Sequence, residues 1–228
     1  MYFDWTYLVI VLPMVILSMI AQANVTSTYK KFSQVWSRRG LTAETAVRQI
    51  LNANGLHSVG ITRCAGDLTD HYDPRTNTIA LSDTVYGSTS VAAIGVAAHE
   101  AGHAIQHAEN YAPVKIRTAI VPITNFGSKL SIPLVILGLI LGFAELAYAG
   151  ILLFGLVVIF QLVTLPTEFD ASRRAIKALE GGYLDEEQLK GTKKVLTAAA
   201  MTYLAALFVS LASLLRLLIL VNGGRRRR

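Results

Sequence analysis

Along the chain, long apolar runs alternate with stretches in which polar and apolar residues mix at helical or strand spacing. A helix that crosses a bilayer needs about 20 consecutive, mostly apolar residues. The first such run is Tyr7 to Ala23, preceded by Tyr2, Phe3 and Trp5, ring-bearing residues that suit the headgroup region. Ala21-Gln22-Ala23 resembles a signal-peptide cleavage site, but the segment before the run carries Asp4 and no Lys or Arg, which favours a retained span. The stretch from Ile132 to Leu165 is too long for one crossing and predicts a helical hairpin, with its turn near Ala147 to Gly150 beside the charged Glu145. The fourth run, Leu196 to Val221, is interrupted by Arg216, close enough to the end to extend its head towards the interface.

This pattern divides the chain into a first span (1–23), a polar segment (24–129), a membrane hairpin (130–165), a second polar segment (166–195), a fourth span (196–221) and a basic tail (222–228). Because the hairpin crosses twice, the two polar segments face the same side of the membrane, so residues far apart in sequence are able to build one site. The fold class expected is a mostly α integral membrane protein, four transmembrane helices with a small α+β zincin-like domain and a short antiparallel sheet.

Within the first polar segment, Lys30 to Arg39 is expected to carry the first helix beyond the membrane surface. A second helix is expected from Thr42 to Ala53, with Thr42 as N-cap, Glu44 in the first turn and Gly55 as the stop. Ser58 to Arg63, Leu68 to Tyr72 and Thr78 to Ser82 have strand character, the last two separated by the turn sequence Asp73-Pro74-Arg75-Thr76-Asn77. From Ser90 to His107 small and apolar residues surround a helix on most sides, which predicts burial, yet the run before its first polar residue is too short to span.

Composition supports this partition. The chain of 228 residues is 53% hydrophobic and 16% charged, with mean hydropathy +0.46, where soluble domains carry roughly a quarter charged residues. A single cysteine, Cys64, excludes an intramolecular disulfide framework and a cysteine-built zinc cluster. The net charge of +6 arises from 21 Lys and Arg against 15 Asp and Glu. Many of these basic residues flank the apolar runs, so the charge reads as membrane topology rather than nucleic-acid binding. Lys30, Lys31, Arg38, Arg39, Arg173, Arg174, Lys193 and Lys194 fall near span ends, which makes the polar side cytoplasmic, whereas the terminal Arg225 to Arg228 argue the opposite.

The chemistry is carried by His99-Glu100-Ala101-Gly102-His103. Residues four apart on a helix share a face, so two imidazoles can hold one Zn²⁺ while Glu100, beside the first, acts as general base for hydrolysis. Burying these groups in an apolar helix costs several kcal/mol unless they are paired or bound to a cation. A catalytic zinc takes three protein ligands and keeps one position open. His107 lies about 12 Å along the helix from His99 and cannot share the ion. The candidate third ligand is Glu168, in a helix expected to begin at Pro166 on the same side of the membrane, with Asp170 as its rival. His71, Tyr72, Arg173 and Tyr183 are the candidates for stabilising an oxyanion.

Tyr72-Asp73-Pro74, Leu81-Ser82, Ser90-Val91-Ala92, the stretch from His99 to Gln106 and Glu168-Phe169-Asp170-Ala171-Ser172 together resemble the YugP-like family of bacterial neutral zinc metallopeptidases. The resemblance covers nearly the whole chain and implies a membrane-embedded, zinc-dependent endopeptidase acting on membrane or membrane-proximal polypeptides, with one Zn²⁺ per chain. More distantly the arrangement looks like gluzincin membrane proteases of the HtpX and CAAX-prenyl-protease type, and this likeness implies Glu168 as third ligand. Those relatives place an aspartate where this chain has Ser172, so either Ser172 or Asp170 is expected to orient the zinc ligands. The strand Thr78-Ile79-Ala80-Leu81 resembles the edge strand on which such enzymes lay an extended or unfolded substrate. A site-2-type intramembrane protease is disfavoured, because the motif lies outside the spans. The alternative function is a zinc-stabilised, non-catalytic membrane scaffold that binds partners; an intact Glu100 speaks against it. Gly138, Gly142, Gly150 and Gly155 would let helices approach closely and leave room for a homo-oligomer.

Overall fold

The computed structural model describes residues 5–225. The aromatic flank at Tyr2 and Phe3, Asp4, and the tail residues Arg226 to Arg228 lie outside the described residues, as does the side chain of Arg225. Elements follow in the order α1 (Leu12–Phe32, entered through a wider π-type turn at Tyr7–Val11), α2 (Ala43–Ala53), β1 (Gly60–Cys64), β2 (His71–Asp73), β3 (Thr78–Ser82), α3 (Val91–Ala108), α4 (Ala112–Leu141), α5 (Ala144–Leu179) and α6 (Glu186–Arg225). The protein is mostly α-helical with a small three-stranded sheet, and among the described residues four helices are long and apolar enough to cross a membrane: Tyr7–Phe32, Ala112–Leu141, Ala144–Leu179 and Glu186–Gly223.

The chain forms two compact units. One comprises Ile116–Leu165 with the chain before Gln22 and after Met201; the other comprises Gln22–Lys115 and Pro166–Met201. The first unit carries its large apolar side chains outward, Ile140 being 74% and Leu152 73% exposed. A soluble protein rarely leaves so many apolar groups in water, so these surfaces face lipid. In this unit the hairpin turns at Gly142, whose φ of +69° suits glycine, and not at Ala147 to Gly150 as the sequence suggested. The reason is backbone contact: a Cβ on Gly138 would sit 2.5 Å from the Ala147 nitrogen, and one on Gly150 2.5 Å from the Ser131 carbonyl, so both flank the turn as close-approach points. Glu145 then falls in the first turn of α5, where the helix dipole favours a carboxylate. Arg216 lies over the Tyr7 ring, 5.4 Å from its centroid.

Three expected boundaries move. The helix expected through Arg39 stops at Phe32, because the following chain pairs with the entry to α3: Val91 N–H donates to Val35, and Ser37 N–H to Thr89. The boundary at 129/130 falls inside α4, which begins at Ala112, so the polar segment ends earlier than its hydropathy implied. Pro166 lies inside α5 instead of starting a helix; the loss of one backbone bond is tolerated within a long, well-packed helix.

The second unit holds the polar core. α2 starts as predicted, Thr42 Oγ1 accepting from Thr45 N–H, and buries Ala43, Ala46, Val47, Ile50 and Leu51. These pack with Ile79, Leu81, Ile94, Ala97, Ala101 and Leu179 into one hydrophobic cluster. In the sheet, β2 and β3 form the expected antiparallel hairpin, with Asp73 Oδ1 accepting from Arg75 N–H across the turn. β1 joins β3 in parallel, Gly60 opposite Thr78, so the sheet is mixed and its order is β1-β3-β2. β3 is therefore the central strand. Asp70 fastens its end, accepting from Ser82 N–H and Ser82 Oγ at 2.8 Å each. Burial pushes the Asp70 carboxyl above its ordinary value, against the opposing pull of the Ser82 hydrogen bonds.

Candidate metal centre

α3 carries the site. Ser90 Oγ accepts from Ala93 N–H at 3.2 Å and caps the helix, which is then buried along nearly its whole length. On it His99 and His103 emerge one turn apart, their rings edge to face with centroids 4.6 Å apart. Gly102, between them on the sequence, faces α5. A Cβ at that position would lie 2.6 Å from the Ala171 carbonyl oxygen, so only a hydrogen permits the two backbones to come this close. That approach delivers Glu168, three residues before Ala171 and 2% exposed, to the two imidazoles. Its Oε2 stands 3.2 Å from His99 Nε2 and 3.5 Å from His103 Nε2.

The proton positions follow from the neighbours. Gln106 Nε2 donates to the Thr167 carbonyl at 2.8 Å and to Asp170 Oδ2 at 2.9 Å, both of which only accept. Gln106 must therefore turn its Oε1 to His103 Nδ1, 3.0 Å away, and that nitrogen must carry the proton. When the ring is neutral, its Nε2 therefore carries no proton and faces Glu168. His99 Nδ1 lies 3.1 Å from Ser172 Oγ, which can accept in the same way. With both rings neutral and protonated at Nδ1, two imidazole lone pairs and a carboxylate oxygen converge, a donor set suited to a cation.

The spacing fits that cation. Ligands about 2.0–2.1 Å from a tetrahedral zinc ion lie roughly 3.3 Å from one another. The observed separations of 3.2 and 3.5 Å bracket this, and the three donor atoms all fall within 4.8 Å of one another. His99, His103 and Glu168 would hold Zn²⁺ as a two-histidine, one-glutamate set. Glu100 is 7% exposed, and no hydrogen bond to its carboxylate occurs among the described residues.

Ser172 and Asp170 stand beside different histidines. Ser172 meets His99 directly, whereas Asp170 acts on His103 through Gln106. Asp170 is buried and accepts from Arg173 and, at 2.6 Å, from Arg174 Nε. Arg174 also reaches Glu109 at 2.7 Å, so the pair is part of a wider ionic network. Asp170, held by Gln106 and the two arginines, is not among the three groups that converge. The sequence reading passed over two residues. Gln106 follows His103 by three positions and so shares its face, a signal legible in the spacing; Gly102 gave no sign that another backbone would press against it.

His107 sits in the last turn of α3, exposed, its ring 5.9 Å from that of Tyr72, in keeping with exclusion from the metal. Tyr72 donates to Asn77 Oδ1, and burial followed by the nearby Asp73 charge pushes its hydroxyl above the usual phenol range. His71 pairs with the Thr69 carbonyl, Arg173 with Asp170, and Tyr183 packs against the core cluster. The assignment of Thr78, Ile79, Ala80 and Leu81 as an exposed substrate edge is corrected: β3 is paired on both sides, and its buried face belongs to the core. The outer edge of the sheet on the Tyr72 side is β2, which packs against α3.

A family model described as "Putative neutral zinc metallopeptidase" matches residues 7–222. The chain is similar to the "Putative membrane protease YugP" of Bacillus subtilis (strain 168), with 44% identity over 210 residues, covering 92% of this chain and 93% of that protein. No solved structure matches.

Proposed function

The chain belongs to this zinc metallopeptidase family of membrane proteins, and from that premise we propose that it is a multi-pass, membrane-embedded endopeptidase in which His99, His103 and Glu168 bind one zinc ion and Glu100 is the general base. The observation that carries the reading is the convergence of His99 Nε2, His103 Nε2 and Glu168 Oε2 beside a buried glutamate that has no structural hydrogen bond among the described residues. A purely structural zinc would have no use for such a carboxylate. The gluzincin-like ligand set agrees with this assignment.

Zinc, when bound, polarises a carbonyl and acidifies water near it. The chain's own residues do the rest. Glu100 takes the proton from the attacking water and passes it to the leaving nitrogen as the C–N bond breaks. Ser172 and Gln106 hold the two Nδ1 protons and so keep both Nε2 atoms aimed at the ion. Asp170, neutralised by Arg173 and Arg174, fixes Gln106 in the orientation this requires. An extended or unfolded segment of a membrane or membrane-proximal polypeptide pairs with the free edge of β2 and presents its scissile bond to α3. The polar side is read as cytoplasmic from the basic residues near the span ends.

Glu100→Gln tests the role of the base. The variant should bind zinc one to one like the parent and lose peptide hydrolysis by at least a hundredfold; hydrolysis at the parent rate would refute it.

A further inference from the structure

A second concave site lies away from the metal, in the same compact unit, where the end of α1 meets the beginning of α6. It has a volume of about 600 Å³ and is lined by Lys31, Lys190, Lys193 and Lys194 at one end and by Thr197, Ala198 and Met201 at the other, with Asn24, Thr28 and Phe32 along the α1 wall. The two helices touch at Gly191, where a Cβ would strike the ring of the lining residue Phe32 at 2.8 Å.

The charge of this site is poorly compensated. Lys190 pairs with Glu186 at 2.6 Å, but among the described residues no carboxylate stands within ion-pair distance of Lys31, Lys193 or Lys194. Lys31 lies over the Phe32 ring instead, 5.7 Å from its centroid. Lys193 and Lys194 are both exposed. Three like charges around one hollow repel each other and lower the stability of the empty cavity, so an anion would relieve the cluster.

The position identifies the kind of anion. The apolar run of α1 ends at Ala23 and that of α6 begins at Leu196, so the cavity straddles the polar-to-apolar boundary of both helices. The two helices run through it in opposite directions, which places all four lysines at the polar end and Ala198 and Met201 at the apolar end. A free phosphate would use the lysines alone. A phospholipid would use both ends, with its phosphate among the ammonium groups and its glycerol and acyl carbons along Ala198 and Met201.

We propose that this cavity is a binding site for an anionic phospholipid. The proposal rests on the membrane placement of α1 and α6 and not on the hydrolytic reading, so a zinc-free or inactive protein should still bind. Lys193 also lines a neighbouring cavity of about 440 Å³ that contains Ser172, the partner of His99. Bound lipid therefore contacts the helix segment that borders the support of the metal site.

The test uses the full chain in neutral detergent, with native mass spectrometry counting the lipid retained from equimolar phosphatidylglycerol and phosphatidylcholine. Each lysine near an anionic surface is worth about a fivefold change in binding. The triple variant Lys31→Gln/Lys193→Gln/Lys194→Gln should lose at least tenfold of its phosphatidylglycerol retention, whereas Arg39→Gln/Arg63→Gln/Arg75→Gln, with the same charge change, should keep it. In the unmodified protein the preference for phosphatidylglycerol should fall as salt rises from 0.05 to 0.5 M, roughly the range over which surface charge becomes screened, and this measurement stands if the triple variant does not fold. Equal retention of the two lipids, equal loss in both triple variants, or displacement of the lipid by millimolar inorganic phosphate would overturn the proposal.

Discussion

Replacing Gly102 by alanine puts the geometry of the metal centre under a defined strain. The added Cβ would lie 2.6 Å from the Ala171 carbonyl oxygen, a backbone atom that cannot rotate away. An ordinary carbon–oxygen contact needs about 3.4 Å, so α3 and α5 would have to part by roughly 0.8 Å. The cost in stability is moderated, since overpacking costs about 1–3 kcal/mol while alanine gains about 1 kcal/mol over glycine in a helix. Zinc binding is less forgiving, because ligand distances tolerate only about 0.2 Å. His99 and His103 ride on α3 and Glu168 on α5, so the parting falls directly on the ligand set. Gly102→Ala should therefore bind zinc at least tenfold more weakly, measured by competition with a chromogenic chelator, while its melting temperature in the zinc-free state moves by only a few degrees. Gly95→Ala is the control on the same helix: its Cβ would meet a rotatable Thr192 methyl at 2.7 Å on α6, which carries none of the ligands, so zinc affinity should fall less than in Gly102→Ala. Parent-like zinc binding by Gly102→Ala would refute the claim that this close approach sets the ligand geometry.

Gln106→Ala should weaken zinc binding about 10–100-fold in the same competition assay, because it frees the His103 ring and removes one donor each from the Thr167 carbonyl and Asp170. Ser172→Ala, which removes one hydrogen bond at a half-buried site, should cost less than Gln106→Ala in that assay; the reverse order would contradict the division of support between the histidines. Chelation of the metal should lower the melting temperature of the full chain, and stoichiometric zinc should restore it, as scanning fluorimetry would show. Asp70 sets a pH dependence of stability. Its carboxyl is raised in the fold, so the favourable contribution is complete below its unfolded value near 3.8 and is lost as pH rises through the higher folded value. Asp70→Asn removes that loss, so the variant should gain in melting temperature relative to the parent between pH 4 and pH 7.5; a constant difference over that range would contradict it.

The parts of the structure legible in the sequence were those carried by local pattern. Thr42 and Ser90 announce helix starts because a hydroxyl beside a helical run has one dominant use, and His99 and His103 declare a shared face because helical periodicity fixes it. Glu168 was a candidate because the hairpin returns the chain to the same side, and the family resemblance implied it as third ligand. What escaped the sequence depends on backbones meeting. The hairpin turn moved to Gly142 because Gly138 and Gly150 need partners across the two arms, and hydropathy is blind to such pairing. β3 was read as an edge by resemblance; β1 joins it in parallel on the side away from β2, and strand composition says little about which side is paired. Gln106 supports His103 through Asp170 across 64 residues of sequence, a link that exists only after α3 and α5 pack.

The central claim is a zinc ion held by two histidines and one glutamate with a position left for solvent. X-ray absorption at the zinc edge on the purified full chain tests it most directly. Two imidazole ligands and oxygen neighbours at about 2.0–2.1 Å, with no sulfur, are expected, together with loss of the bound zinc in Glu168→Ala. A sulfur shell, or a site closed by four protein ligands, would contradict it.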